Sequence, residues 1–258
     1  MTAEKPLQGV KILITRAESQ AEPLIRSVET LGGTPISIPM INFKRVERKP
    51  LDGKFDWIIF TSVNALKYFH LTKDSLVQMG NPKLAAIGEK TKEAIESLGL
   101  SINFIPGSFV AEAFIEEFNC CLTAPSKILL PKGNLARDII AESLRKEGHE
   151  CTELIVYENI MPSSSERKLI DFLGTNKADI LTFTSASTVV NFMKIVRENN
   201  LNTAIKNSIV ACIGPAAKCR AESLGLTVDI CPDTYTAPSM LQAIITFLNK
   251  NDESRRKL

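Results

Sequence analysis

The sequence predicts two similar doubly wound α/β domains, each a parallel sheet with helices on both faces. Three observations lead there. Short runs rich in Ile, Val and Phe alternate with amphipathic segments. A strand running into Thr-Ser and then a helix occurs twice, as DWIIFTSVNALKYF (56–69) and ADILTFTSASTVVNFM (178–193). Later features keep step with that repeat, which marks a duplicated unit.

The elements follow in order. KILITRAESQAEPLIRSVETLGGTPISIPMINF (11–43) reads as strand, loop, helix, glycine stop and strand. Leu24, Ile25, Val28 and Leu31 make one apolar helix face, and Gly32-Gly33 end it. After 56–69, LAAIGEKTKEAIESLGLSINFIP (84–106) reads as strand, Gly88 turn, helix and strand, and SFVAEAFIEEF (108–118) as a closing helix. KILLPKGNLARDIIAESLRKEGHECTELIVYEN (127–159) restarts the pattern of 11–43 at an offset of 116, with Ile139, Ile140, Leu144 and Gly148 in the helix and its stop. Thr184-Ser185 then follows Thr61-Ser62 by 123 residues. IVACIGPAAKCRAESLGLTVDICP (209–232) and TYTAPSMLQAIITF (234–247) follow their counterparts by 126. Each half thus reads β-α-β-β-α-β-α-β-α.

Sequence order leaves two pairings: consecutive pieces, or the first forty residues with the C-terminal hundred. SIPMINFKRVE and LIVYENIMP contain extended runs suited to a two-stranded connection. Ser163-Ser164-Ser165 after Pro162 reads as an exposed linker, and the polar end NKNDESRRKL as a frayed tail.

Composition narrows the function. The chain has 258 residues, 44% apolar and 23% charged, and a formal charge of +2 from 31 basic and 29 acidic residues. That balance argues against binding nucleic acid by phosphate neutralisation but leaves room for a local anion pocket. No apolar run approaches the roughly 18–20 residues of a membrane span, and the start lacks a signal-peptide apolar core, so a cytoplasmic protein is expected. Six cysteines without a CxxC are expected to be unpaired and structural. The two histidines, His70 and His149, have no Cys or carboxylate at ligand spacing, so no metal site is expected. Without GxSxG, P-loop or GxGxxG, the usual hydrolase, kinase and dehydrogenase readings lose support.

In an open parallel sheet, ligands bind beyond the carboxyl ends of the strands. Thr61-Ser62 and Thr184-Ser185 fall there, at strand-to-helix junctions whose first helical N–H groups lack partners. Gly88 and Gly214 follow the next strands, and Ser108-Phe109 and Tyr235-Thr236 open the last helices. Each hydroxyl taken singly reads as an N-cap worth about 1 kcal/mol. Four such junctions suggest two anion-binding walls facing across a cleft. Arg16 and Lys132 sit at matching points after their strands, either as carboxylate partners or as solvated loop charges. Tyr157, in LIVYEN, reads on spacing as a half-buried packing residue.

The series LITR, DWIIFTSVNAL, AAIGEKTKEAIESLG, LIVYEN, DILTFTSASTVVNF and ACIGPAAKCRAESLG resembles uroporphyrinogen-III synthases, the HemD-type tetrapyrrole enzymes, along essentially the whole chain. The resemblance implies two flavodoxin-like domains joined by a two-stranded β-ladder: 1–38 with 163–258, and 43–158, with linkers at about 39–42 and 159–162. It implies closure of hydroxymethylbilane to uroporphyrinogen III in the interdomain cleft, with loss of water and inversion of the terminal ring, without metal or organic cofactor. The substrate carries eight carboxylates, matching a cleft of helix N-termini and hydroxyls. The expected site residues are Arg16, Thr61, Ser62, Gly88, Thr91, Lys132, Thr184, Ser185, Gly214, Tyr235 and Thr236 for binding, with Tyr157 as proton donor.

Thr91 occupies the fourth residue after Ile87 in the IGxxT turn, whereas the second copy has Ala217, which puts a hydroxyl contact there in doubt. The expected partners are the linear tetrapyrrole and, transiently, the enzyme that makes it. No nucleic acid or membrane is expected, and the chain is expected to be a monomer. The alternatives are a non-catalytic tetrapyrrole-sensing module and an anion binder resembling periplasmic binding proteins.

Overall fold

A computed structural model describes residues 5–47, 51 and 53–256. In chain order the first elements are β1 (Lys11–Ile14), α1 (Glu18–Thr30), β2 (Thr34–Ser37), β3 (Asn42–Arg45) and β4 (Trp57–Phe60). Next come α2 (Val63–Phe69), α3 (Lys73–Gln78), β5 (Lys83–Ala86), α4 (Glu89–Glu96) and α5 (Ala111–Cys121). Then follow β6 (Lys127–Gly133), α6 (Ile139–Lys146), β7 (Glu150–Ile160), α7 (Ser163–Thr175), β8 (Ile180–Phe183) and α8 (Ala186–Glu198). The last are α9 (Asn202–Ile205), β9 (Ile209–Cys212), α10 (Pro215–Ser223) and α11 (Ala237–Arg256).

The chain divides into two compact units: Phe43–Asn159, and the segments on either side of it. The flanking unit holds the sheet β2-β1-β8-β9, extended past β9 by the parallel bridge Ala211–Ile230. Numbered within the unit, the strand positions run 2-1-3-4-5, the flavodoxin-like order. The inserted unit holds β3-β7-β6-β4-β5, extended past β5 by the bridge Ala85–Phe104. Here β6 and β7 take the places of β1 and β2 although they follow β4 and β5 in the chain. The second unit is therefore a circular permutation of the first. The ladders β1–β2, β1–β8, β8–β9, β4–β5, β4–β6 and β6–β7 are all parallel.

Burial on both faces explains the unbroken apolar strands. In β1, Leu13 packs with Leu181, Phe183 and Phe192 on one face, while Ile12 and Ile14 pack with Leu24, Val28 and Ile244 on the other. In β4, Ile58 and Phe60 join Leu66 and Ile95, and Trp57 and Ile59 join Phe114 and Leu144. The repeat extends to the strand starts. Asp56 accepts from Lys127 N and Asp179 from Lys11 N, each at 2.7 Å, so one carboxylate fastens the neighbouring strand in each unit. Gly32 and Gly148 close equivalent helices with φ of 87° and 89°, the left-handed region where a Cβ is costly.

Several expectations need correction. The serines after Pro162 are the first turn of α7, not a linker. Ser165 is buried with Leu169 and Leu173 at i, i+4 and i+8, and its hydroxyl donates to Pro39 O at 2.5 Å. The backbone of α11 continues through the polar tail to Arg256, because a helix already nucleated extends at little cost. The strands read around 101–106 and 227–232 reduce to single bridges. All six cysteines are free, but Cys120, Cys121 and Cys219 are exposed. Burial keeps Cys151 and Cys212 as thiols, pushing them up to about 11 and about 12.

Two buried threonines lock the central strands of the flanking unit. Thr15 donates to Thr182 O at 2.7 Å, and Thr182 donates to Leu13 O at 2.8 Å. Replacing Thr182 by Val keeps the shape and removes one buried hydrogen bond. Chemical denaturation of Thr182→Val is expected to show a loss of about 1 kcal/mol; an unchanged midpoint would contradict this assignment.

Candidate active site

At the carboxyl end of β4 the chain turns through Thr61 into Ser62, the N-cap of α2. Ser62 Oγ accepts from Ala65 N at 3.1 Å. The flanking unit repeats this at β8, where Ser185 caps α8 and accepts from Thr188 N at 3.3 Å. Thr184 stands between Phe183 of β8 and this cap. Gly88 and Gly214 are the N-caps of α4 and α10. Both are extended, so neither is glycine for its backbone angle. A Cβ on Gly88 would meet nothing within 4 Å, whereas one on Gly214 would touch the Tyr235 ring at 3.1 Å.

Thr236 accepts from Ser239 N at 3.2 Å beside the exposed Tyr235. Phe109 stands at the matching place in the other unit, likewise more than half exposed. Exposed aromatics at both positions are a feature that Ser108-Phe109 hinted at without distinguishing it.

Tyr157 is the most unusual group at this edge. It is 9% exposed, on β7, with Phe43 edge-on at 5.6 Å and Tyr68 at 5.3 Å between ring centroids. A β-bulge aims it. Lys132 pairs with Ile155 but Gly133 pairs with Tyr157, so Val156 and Tyr157 are buried in succession. Burial pushes the phenol above its ordinary value of 10.0, hydrogen bonds with the Ser62 and Asn64 side chains act the other way, and Tyr68 adds a smaller upward push. The cap of α2 and the phenol thus form one cluster. Asn64, Tyr68 and Phe43 escaped the sequence reading. All three lie in quoted segments, but only the fold brings them to Tyr157.

Arg16 follows β1, half-buried, with its Nε on the neutral Gln20 amide at 3.2 Å and no ion pair among the described residues. Burial lowers its pKa. Lys132 differs from the expectation of a carboxylate-binding cation. Its ammonium is already held by Asp138 and by Glu153 at 2.7 Å, and Arg145 joins Glu153 at 3.0 Å. Burial pulls the Lys132 pKa down, but these two carboxylates raise it on balance. Thr91 and Ala217 are both buried, at 5% and 2% exposure, so the Thr-to-Ala difference falls at a packed position. A cavity of about 600 Å³ bordered by Arg197, Lys206 and Asp229 lies at the amino end of β9, away from this edge. Among the described residues no three His, Cys, Asp or Glu side chains gather as metal ligands, and no helix is long and apolar enough to cross a membrane.

Residues 22–242 match the family model described as uroporphyrinogen-III synthase HemD. The chain belongs to the uroporphyrinogen-III synthase family. The uroporphyrinogen-III synthase of Chlorobaculum parvum is 31% identical over 241 residues, covering 90% of this chain and 97% of that one. That of Synechococcus elongatus is 28% identical, covering 94% and 97%. Among solved structures, a mutant uroporphyrinogen III synthase from Thermus thermophilus superposes with a TM-score of 0.65 at 17% identity, covering 94% and 100%. The uroporphyrinogen-III synthetase of Helicobacter pylori gives 0.63 at 16%, covering 92% and 99%. These two structures share the two-domain α/β fold.

The raised Tyr157 pKa has a defined effect on stability. A group that holds its proton more tightly when folded contributes fully below the unfolded value and loses that contribution as pH rises through the folded one. Unfolding free energy should therefore fall as pH rises above 10, and Tyr157→Phe should flatten that part of the profile. Identical alkaline profiles would contradict the burial of this phenol.

Proposed function

We propose that this chain closes hydroxymethylbilane into uroporphyrinogen III, with loss of water and inversion of the last ring. Membership of the family supports the reaction. The observation that carries the residue assignment is a buried phenol at the carboxyl edge of the sheet, joined to the first turn of α2.

The reaction needs a hydroxyl to leave from the substrate's hydroxymethyl carbon. Tyr157 supplies a proton to that oxygen, the C–O bond breaks, and water departs from a cationic azafulvene. The substituted α-carbon of the terminal pyrrole attacks to form the new C–C bond and a spiro centre. The bond from that carbon to its original methylene bridge then breaks, leaving a second azafulvene on the neighbouring ring. The free α-carbon of the terminal pyrrole attacks that methylene, and the hydrogen it carried is lost as a proton to the phenolate, which restores the pyrrole with the ring inverted. Tyr157 is protonated at neutral pH, as any phenol at or above the ordinary value is, so its proton is available for transfer. Ser62 and Asn64 stabilise the phenolate only while it exists, where preorganised donors lower the barrier. The pyrrole electrons drive bond formation, so the protein's larger task is to fold the substrate for attack by the correct carbon.

The substrate carboxylates bind at the free N–H groups beginning α2, α4, α8 and α10, with Arg16 as a cation held near the edge. Thr61, Ser62, Thr184, Ser185 and Thr236 add hydroxyls, Gly88 and Gly214 leave the backbone approachable, and Tyr235 presents a ring to a pyrrole face. Lys132 is left out because two carboxylates hold it. The chain works as a cytoplasmic monomer.

Purified protein given freshly generated hydroxymethylbilane should yield the type III isomer; the type I isomer alone would overturn the reading. Tyr157→Phe should lower kcat about a hundredfold or more, within the range of general acid catalysis. Full turnover by that variant would remove the role assigned to Tyr157.

A further inference from the structure

Gly133 ends β6 directly opposite Tyr157 in the parallel ladder. It is buried, and its φ lies outside the left-handed region, so its backbone conformation is open to any residue. Space explains the glycine instead. A Cβ placed there would lie 2.5 Å from Tyr157 Cζ, 2.6 Å from Cε2 and 2.8 Å from Oη. Carbon contacts in packed interiors sit at about 3.5–4.0 Å. The whole hydroxyl-bearing end of the ring therefore rests on the bare Cα of Gly133.

The ring has little freedom to give way. Phe43 stands edge-on against it and Tyr68 lies tilted at its side, while the Ser62 and Asn64 side chains lie near enough to its hydroxyl to favour the ionised form. We infer that Gly133 is a positioning residue, whose missing side chain seats the Tyr157 ring and sets its hydroxyl against the first turn of α2. The bulge after Lys132 supports the same assignment, because without it Gly133 would face Val156. The inference rests on the proposed role of Tyr157 for its catalytic consequence, but not for its steric content.

The chain has three tyrosines, so 3-fluorotyrosine labelling gives three ¹⁹F signals, assignable by Tyr→Phe variants. In Gly133→Ala the Tyr157 signal should shift and titrate closer to the ordinary tyrosine value, with the Tyr235 signal unchanged. Type III product formation should fall on the order of a hundredfold in kcat, as a misplaced reacting group costs. In a Tyr157→Phe background the same change should alter kcat by less than about twofold. An unmoved Tyr157 signal overturns the inference. A shifted signal with full activity in both Gly133→Ala and Tyr157→Phe upholds the seat and overturns the catalytic role.

Thermal unfolding covers a variant that folds poorly. Gly133→Ala should lower Tm, or abolish folding, when Tyr157 is present, and do neither in a Tyr157→Ala background. Equal damage in both backgrounds would show that the clash lies elsewhere.

Discussion

The functional edge depends on one constraint: in a parallel sheet every strand leaves by the same side. A strand that runs directly into a helix there leaves that helix's first N–H groups unpaired by the helix itself. Ser62 and Ser185 satisfy one such group each, at Ala65 and Thr188. Gly88 and Gly214 offer no side chain to do so. Each unit consequently presents an edge of partial positive charge without a strongly basic surface. This reconciles a polycarboxylate substrate with a formal charge of only +2.

Within that edge the inserted unit adds what the flanking unit lacks, a buried phenol. Two opposing effects define it. Burial holds the proton on Tyr157, and the hydroxyl and amide of Ser62 and Asn64 favour its departure. Neither effect is available at the corresponding place on β2, a four-residue strand ending at Ser37, whereas β7 runs for eleven residues and carries the bulge. Duplication thus produced two similar edges, and the longer β7, with its bulge opposite the bare Cα of Gly133, brings a buried phenol to one of them.

Much of the fold was legible because both faces of each sheet are buried, which leaves unbroken strands and a close echo between DWIIFTS and DILTFTS. The hydroxyl caps were legible for the same reason. Other features depend on contacts that spacing does not encode. Lys132 reads as a loop cation, but its partner Glu153 lies 21 residues on, across a strand pairing. The serines of α7 look like linker until the fold places Ser165 under Pro39. Helix α3 buries no side chain and α9 is one turn long, so neither shows an apolar period. The cluster around Tyr157 depends on a one-residue shift in register, and no local pattern announces a bulge.

Hydrogen–deuterium exchange with and without the cyclic octacarboxylate product tests the central claim most directly, since the claim concerns particular backbone N–H groups. The account predicts new protection at residues 62–66 and 88–92 of one unit and 185–189 and 214–218 of the other, with little change at 202–209. Protection confined to 202–209, at the opposite end of the strands, would contradict it.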